Sequence, residues 1–291
     1  MSIFKKISTL DRKWWYLLLI IFVVVPLLNP IGLPLKVSAY TKEAYNTVDA
    51  LKTGDVVLVN FDVASSGYDE VKGSISSMIP HLFTKPGVKI MFMTDQDQGY
   101  IYIQKVIAER GTLMAGKTTW PWYQLEGKQY LVDYVNLGYF PGADKAIAAL
   151  ANDFRGNVGN KDFYGNNIGQ WLDDAGVKSA KDIDLVITID CGGAVSYFVN
   201  YFYLQYGTPI ICSMISVSAA GAITNYSAKQ VVALVISTRG SAEYQYLSGY
   251  FGEALISMDA FSIVQVLLVI LVIITNIAFY FSREPPKGGK P

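Results

Sequence analysis

The chain has 291 residues, 52% of them hydrophobic and only 16% charged, with 24 basic side chains against 24 acidic ones; an average soluble protein has roughly a quarter of its residues charged. A net charge of zero without clustered Lys and Arg in the central stretch argues against a nucleic-acid surface. Two cysteines are too few for a disulfide scaffold, and a single histidine, His81, excludes any site that needs two.

Residues 1–13 are basic, with Lys5, Lys6, Arg12 and Lys13, and read as a cytoplasmic segment. From Trp14 to Leu28 the chain carries no charge, and its apolar character continues to Leu35, which predicts a first transmembrane helix over 14–35 with Trp14, Trp15 and Tyr16 as an interfacial belt and Pro26 as a late kink. A cleaved signal peptide is the rival reading, because Val37-Ser38-Ala39 fits a cleavage site. The length of the apolar run and the crowding by Pro30 and Pro34 favour retention.

Residues 36–258 alternate β-rich apolar runs with helical patterns. Strands are expected at Asp55–Phe61, Val88–Thr94, Gln129–Asn136, Asp184–Ile189, Pro209–Ile215 and Gln230–Ser237. Several are apolar on both faces, as a parallel sheet covered on both sides requires. Helices are expected at Asp69–Phe83, Gly99–Glu109, Asp144–Phe154, Ala194–Gln205 and Ser241–Ser248. The alternation predicts an α/β domain with a doubly wound, mostly parallel sheet, flanked by one transmembrane helix at each end. Long insertions at 111–128 and 156–181 interrupt the rhythm, the first carrying Trp120-Pro121-Trp122-Tyr123. The aromatic stretch Ala194–Tyr206 reads as a helix buried nearly all round, and Ile215–Ile223 as a small-residue segment suited to close contact.

The second transmembrane helix is expected over 259–282, uncharged from Ile263 to Phe281 and followed by a cytoplasmic tail at 283–291 with Arg283, Lys287 and Lys290. Gln265 and Asn276 within it are expected to bond to another helix or to lie near the two interfaces. Basic residues flank the pair on the outside, with only Lys36 and Lys42 near on the inside. Both termini are therefore expected to be cytoplasmic and the domain extracytoplasmic, where Asn225-Tyr226-Ser227 would suit glycosylation in a secretory system.

In an open parallel sheet, ligands bind beyond the carboxyl ends of the strands. That rule selects Asp62, Asp95, Gln96, Asp97, Asn136, Tyr139, Asp190, Cys191, Ser216, Thr238 and Arg239. Asp62, Asp95, Asp97 and Asp190 could hold a divalent metal ion or raise one another's pKa for acid/base work, and the same aspartates would also suit turns and helix caps. Asn136, Tyr139, Thr238, Arg239, Trp120 and Trp122 are ligand-binding candidates, the Thr238–Arg239 turn as an anion cradle. Asp95-Gln96-Asp97 resembles the DxD pattern of glycosyltransferases, which would imply a metal and a sugar nucleotide. Asp190-Cys191-Gly192-Gly193 resembles the strand-end cysteine of caspase-like peptidases, at a helix start that favours a thiolate. A Cys–His pair, however, needs a base in reach, and His81 lies late in a helix; Gly192-Gly193 reads instead as allowing close packing of helix on strand, with Cys191 a small semi-buried residue. Neither resemblance extends beyond its motif, and Gly-rich phosphate fingerprints and the G-x-S-x-G elbow are missing. The expectation is a two-span membrane protein whose domain binds a partner or ligand and assembles with itself or other membrane subunits, without catalysis. The alternative is an anchored metal-assisted hydrolase or transferase working through the catalytic candidates Asp62, Asp95, Asp190 and Cys191.

Overall fold

The structure, a computed structural model, describes residues 11–108, 128–249 and 252–282. It divides into two units, the central residues Leu35–Leu255 and the two ends of the chain.

Six parallel strands build the central unit: β1 (Val56–Asp62), β2 (Lys89–Thr94), β3 (Tyr134–Tyr139), β4 (Leu185–Asp190), β5 (Ile210–Met214) and β6 (Ala233–Ile236). Their order is β3-β2-β1-β4-β5-β6, the order of a doubly wound sheet that grows outward in both directions from β1 and β4. β1, β4 and β5 are buried at every position, as their unbroken Val/Ile/Leu runs require of strands covered on both faces.

One face carries α2 (Ala39–Asp49), α3 (Tyr68–Phe83) and α4 (Gly99–Ala108), which pack Ala44, Val71, Met78 and Ile103 against Val57, Val59 and Ile187. The other carries α5 (Asp144–Asn152), α6 (Phe154–Val158) and α7 (Gly169–Asp174). With them lie α8, running from Val195 to Tyr206, and α9 (Ala219–Ser227), so that Ile147, Phe154, Trp171, Phe198 and Ala222 cover Leu58, Val186 and Cys212. The crossovers after β1 and β2 and those after β4 and β5 thus lie on opposite faces. α10 (Ser237–Ser248) returns to the first face, where Tyr244 packs in the α2–α3 core.

Four details depart from the sequence reading. The third strand starts at Tyr134, because Gln129–Asp133 closes a turn through Asp133 and Leu131 takes a φ of 64°. α2 was not anticipated: Ser38 caps it, and its buried stripe is only Thr41, Ala44 and Val48, too sparse to register as a period. α8 is not buried all round. A π turn over Val199–Tyr203 interrupts it, Phe198, Val199 and Phe202 face the core, and its tyrosines stay half-exposed, Tyr201 bonding to Asp144. Ile215–Ile223 folds mostly into a 3₁₀ turn and α9, with Val217 82% exposed.

At the chain ends, α1 (Arg12–Leu28) is capped by Asp11 and contains Pro26; its 17 residues span about 25 Å, and residues 29–35 do not extend it. Among the described residues one helix, Glu253–Phe281 within α11 (Glu253–Ser282), is long and apolar enough to cross a membrane. It begins before the predicted boundary and includes Asp259. That carboxylate is 5% exposed and accepts hydrogen bonds from the backbone N–H groups of Ile31, Gly32 and Leu33 at 2.9, 2.8 and 2.9 Å. Asn276 bonds to the carbonyl of Val272 in its own helix, and Gln265 is exposed.

Candidate functional site

The sheet reverses direction between β1 and β4, and both strands end there in an aspartate: Asp62 and Asp190 are register partners. Asp62 is 5% exposed and Asp190 fully buried. Asp190 caps the start of α8, accepting from Gly193 N at 2.5 Å and Val195 N at 2.7 Å. Asp62 Oδ2 reaches across from β1 to the same loop, accepting from Gly192 N at 2.8 Å and Ala194 N at 3.3 Å. Gly192 is required here, because a Cβ at that position would come within 2.8 Å of Asp62 Oδ2.

Asp95, on the loop after β2, turns toward the same place. Its Oδ1 accepts from Asn60 Nδ2 at 2.8 Å, and the Asn60 amide also lies 3.4 Å from Thr188 Oγ1. Asn60 and Thr188 are fully buried partners one step back from Asp62 and Asp190 on the same face. The Asn60 Oδ1 atom is buried without a hydrogen-bond partner. An unmatched buried amide oxygen costs about 1–3 kcal/mol, so its retention at the switch point calls for a reason.

The electrostatics follow from burial. Desolvation, reinforced by the charges of Asp95 and Asp190 and by a hydrogen bond to Asp190, pushes Asp62 up to about 8. Burial also raises Asp95, against the hydrogen bond from Asn60. The Asp62 carboxyl is thus held well above the ordinary carboxylate range, a property found at acid/base and binding sites.

Cys191 follows Asp190 and packs against Gly67, where a Cβ would lie 2.6 Å from its Sγ. Burial and the nearby carboxylates push its thiol up to about 11, so the helix start does not yield a thiolate, and Cys191 is a half-buried residue beside close-packed glycines. The carboxylates already occupy the N–H groups that would have stabilised it. His81 offers no base, since it lies 14 residues beyond Gly67, about 20 Å along α3. It bonds to Tyr244 and Asp49, and burial pushes it down to about 4. Cys191 and Cys212 are both free thiols, so the bridge between them that an oxidising compartment would allow is not formed.

The remaining candidates scatter. Asp97 is exposed, so the DxD triplet contributes only Asp95 to the cluster. Tyr139 is 43% exposed at the end of β3, paired in register with Thr94. Asn136 sits at a β-bulge, its Oδ1 accepting from Gly138 N and its Nδ2 buried without a partner. Arg239 pairs with the buried Glu243 at 3.1 Å, which leaves the Thr238–Arg239 turn with its cation engaged. Trp120 and Trp122 lie outside the described residues. Among the described residues no group of three or more His, Cys, Asp or Glu is disposed to hold a metal ion.

Sequence reasoning overlooked Asn60 and Glu70. Asn60 looked like one polar residue inside an apolar strand, and that is the signal that could have found it. Glu70, on α3, accepts from Ser216 N, Ser216 Oγ and Ser237 Oγ at 2.6–2.8 Å, joining the ends of β5 and β6. Burial opposes its ionisation, and the hydrogen bonds from Ser237 and Ser216 outweigh it and lower the pKa.

The fold and the site together define a doubly wound α/β domain with a buried carboxyl cluster at its switch point. No protein-family model matches the chain, and no curated protein and no solved structure matches it either.

Proposed function

We propose that this is a two-span membrane protein that displays its α/β domain on the extracytoplasmic side, both termini being cytoplasmic, and that the domain binds a ligand in the crevice at the β1–β4 switch point. One observation carries the binding reading: the Asp62–Asp190 pair, Asp95 and the unmatched Asn60 oxygen converge where ligands enter open parallel sheets. Assembly with itself or with other membrane subunits is part of the proposal. Its support is the exposed Val217 and the open face at Gly221, where a Cβ would meet nothing within 4 Å.

Retention of the N-terminal span rests on two carboxylates. Cleavage after Ala39 would take Ile31–Leu33 away from Asp259, and would take Ser38, which gives the buried Glu243 two of its hydrogen bonds, away from α2. Each loss would strand a carboxylate that is at most 5% exposed. The bias of Lys and Arg at the chain ends supplies the orientation.

A catalytic reading is favoured by one observation, the neutral Asp62 carboxyl beside Asp190, which suits general acid/base work without a metal. The metal-assisted form draws no support from the disposition of the carboxylates.

Thermal unfolding of the full chain in mild detergent, with organic cations, anions, sugars and nucleotides as probes, tests the binding site. A probe that raises the Tm of the wild type and not of Asp95→Asn supports it; if no class of probe shifts the Tm, the binding reading fails. For topology, a cysteine placed at Lys42 should react with an impermeant reagent on intact cells, and reaction only after lysis would overturn the orientation.

A further inference from the structure

Resting on the binding site just described, we propose that the switch-point crevice takes an organic cation, a protonated amine or guanidinium, and excludes phosphate-bearing ligands. In doubly wound sheets that bind nucleotides, a helix N-terminus at the switch point presents free N–H groups to the phosphate. Here that terminus is already spent on the protein's own carboxylates: Gly193 and Val195 donate to Asp190, and Gly192 and Ala194 to Asp62. An arriving phosphate would meet Asp62, Asp95 and Asp190 in place of open donors.

The unmatched group next to them is an acceptor as well. Asn60 Oδ1 is fully buried, its amide nitrogen is turned to Asp95 and Thr188, and it lies on the face shared with Asp62 and Asp190. A cluster of carboxyl groups and one orphaned carbonyl oxygen is completed by a ligand rich in N–H donors. A bare divalent ion is disfavoured, because the carboxylates are not disposed as a metal site.

Aromatic rings at the same sheet edge suit the same ligand. Tyr100, in the first turn of α4 after the Asp95–Asp97 loop, stacks on Phe163 with centroids 6.1 Å apart, and Phe163 lies over Gly138 near the end of β3. Both rings are more than a third exposed, and ring faces attract amine and guanidinium cations.

Binding is expected to release a proton. Asp62 is faced by Asp95 from the loop after β2 and by Asp190 from β4, with Cys191 and Cys212 beside them; Glu70 of α3 acts on Cys191, and Lys105 of α4 sits over Tyr68. None of the groups acting on Asp62 is a cation, so an entering one stabilises the ionised form and drives the proton off.

Calorimetric titration of the full chain in detergent with agmatine, which carries both a guanidinium and an amine, tests this against neutral 1-butanol, Mg²⁺ alone, inorganic phosphate and AMP. Agmatine should bind more tightly as pH rises from 6 to 8, with a heat that varies with the ionisation enthalpy of the buffer. Its affinity should fall about tenfold or more in both Asp95→Asn and Asn60→Leu. Asp95 is the less buried of the two positions, so its variant keeps the test open should the Asn60 variant fail to fold. Binding of phosphate, AMP, Mg²⁺ or butanol in preference to agmatine overturns the ligand class while leaving the site in place. Agmatine binding that both variants leave unchanged overturns the assignment to this crevice. Silence from all five probes, together with no Tm shift from any probe class, overturns the site itself.

Discussion

Two buried acidic centres in this domain are supplied with donors in opposite ways. At the junction of α2 and α10, Glu243 is 1% exposed and receives Ser38 N, Ser38 Oγ and Thr41 Oγ1 at 3.0, 2.6 and 2.8 Å, with Arg239 on its other oxygen at 3.1 Å. At the β1–β4 edge, Asp62 has one good N–H donor, one long one and two acidic neighbours. Burial is similar, so donor supply makes the difference: Glu243 is saturated and fastens a helix, whereas the hydrogen bonds to Asp62 do not offset its desolvation and acidic neighbours, which raise its pKa. Buried acidity alone therefore does not mark a functional site.

The largest test of this contrast is Glu243→Ala, which leaves Thr41 buried without its acceptor and frees Ser38 and Arg239. It is expected to cost about 3–5 kcal/mol, read by denaturant unfolding of the full chain, and a loss under 1 kcal/mol would erase the distinction. His81 supplies the next. Its folded pKa of about 4 lies below the ordinary 6.5 of a histidine, so the unfolded chain binds more protons between those values. Its contribution to stability is fully present above pH 6.5 and is lost as pH falls toward 4, by roughly 2–3 kcal/mol at the low end. His81→Gln should flatten that acid limb in a series of unfolding curves, and an unaltered limb would assign it to other groups.

Asp62 has the opposite sign. Its folded pKa, about 8, lies above the ordinary 3.8, so the folded chain binds the extra proton and stability declines as pH rises from about 4 to about 8. Asp62→Asn should remove that decline and be more stable than the wild type above pH 8, by a kcal/mol or two once relaxation of the site is allowed for. A variant less stable than the wild type at pH 9 would show Asp62 to be a structural acceptor like Glu243. The smallest effect is expected of Asp97→Asn: the residue is exposed, so its stability should stay within about 0.5 kcal/mol of the wild type. A variant that abolished binding of a sugar nucleotide would instead restore the DxD reading.

The order of the six strands, the strand-end aspartates and the apolar C-terminal helix were legible in the sequence because each has a local cause. Strands buried on both faces read as unbroken Val/Ile/Leu runs, as in Val56–Val59 and Leu185–Ile187. The helix long and apolar enough to cross a membrane reads as uninterrupted apolarity from Ile263 to Phe281. Asn60 was overlooked because its meaning depends on Thr188, 128 residues away, and on Asp95, 35 residues away. The surroundings of Cys191 depend on distance in the same way: a helix start lowers a thiol's pKa only while its N–H groups are free, and Asp62 reaches them from another strand.

Local pattern along the chain thus places the six strands, the apolar helix and the acidic residues at strand ends, since periodicity and hydrophobic runs are properties of neighbouring residues. Only the tertiary structure decided that Asp62 and Asp190 are partners at the switch point, that Asp97 stands apart, and that Glu243 and Asp259 are saturated. Hydrogen-bond supply and desolvation depend on what the fold brings within about 3 Å, and no local pattern along the chain records that distance.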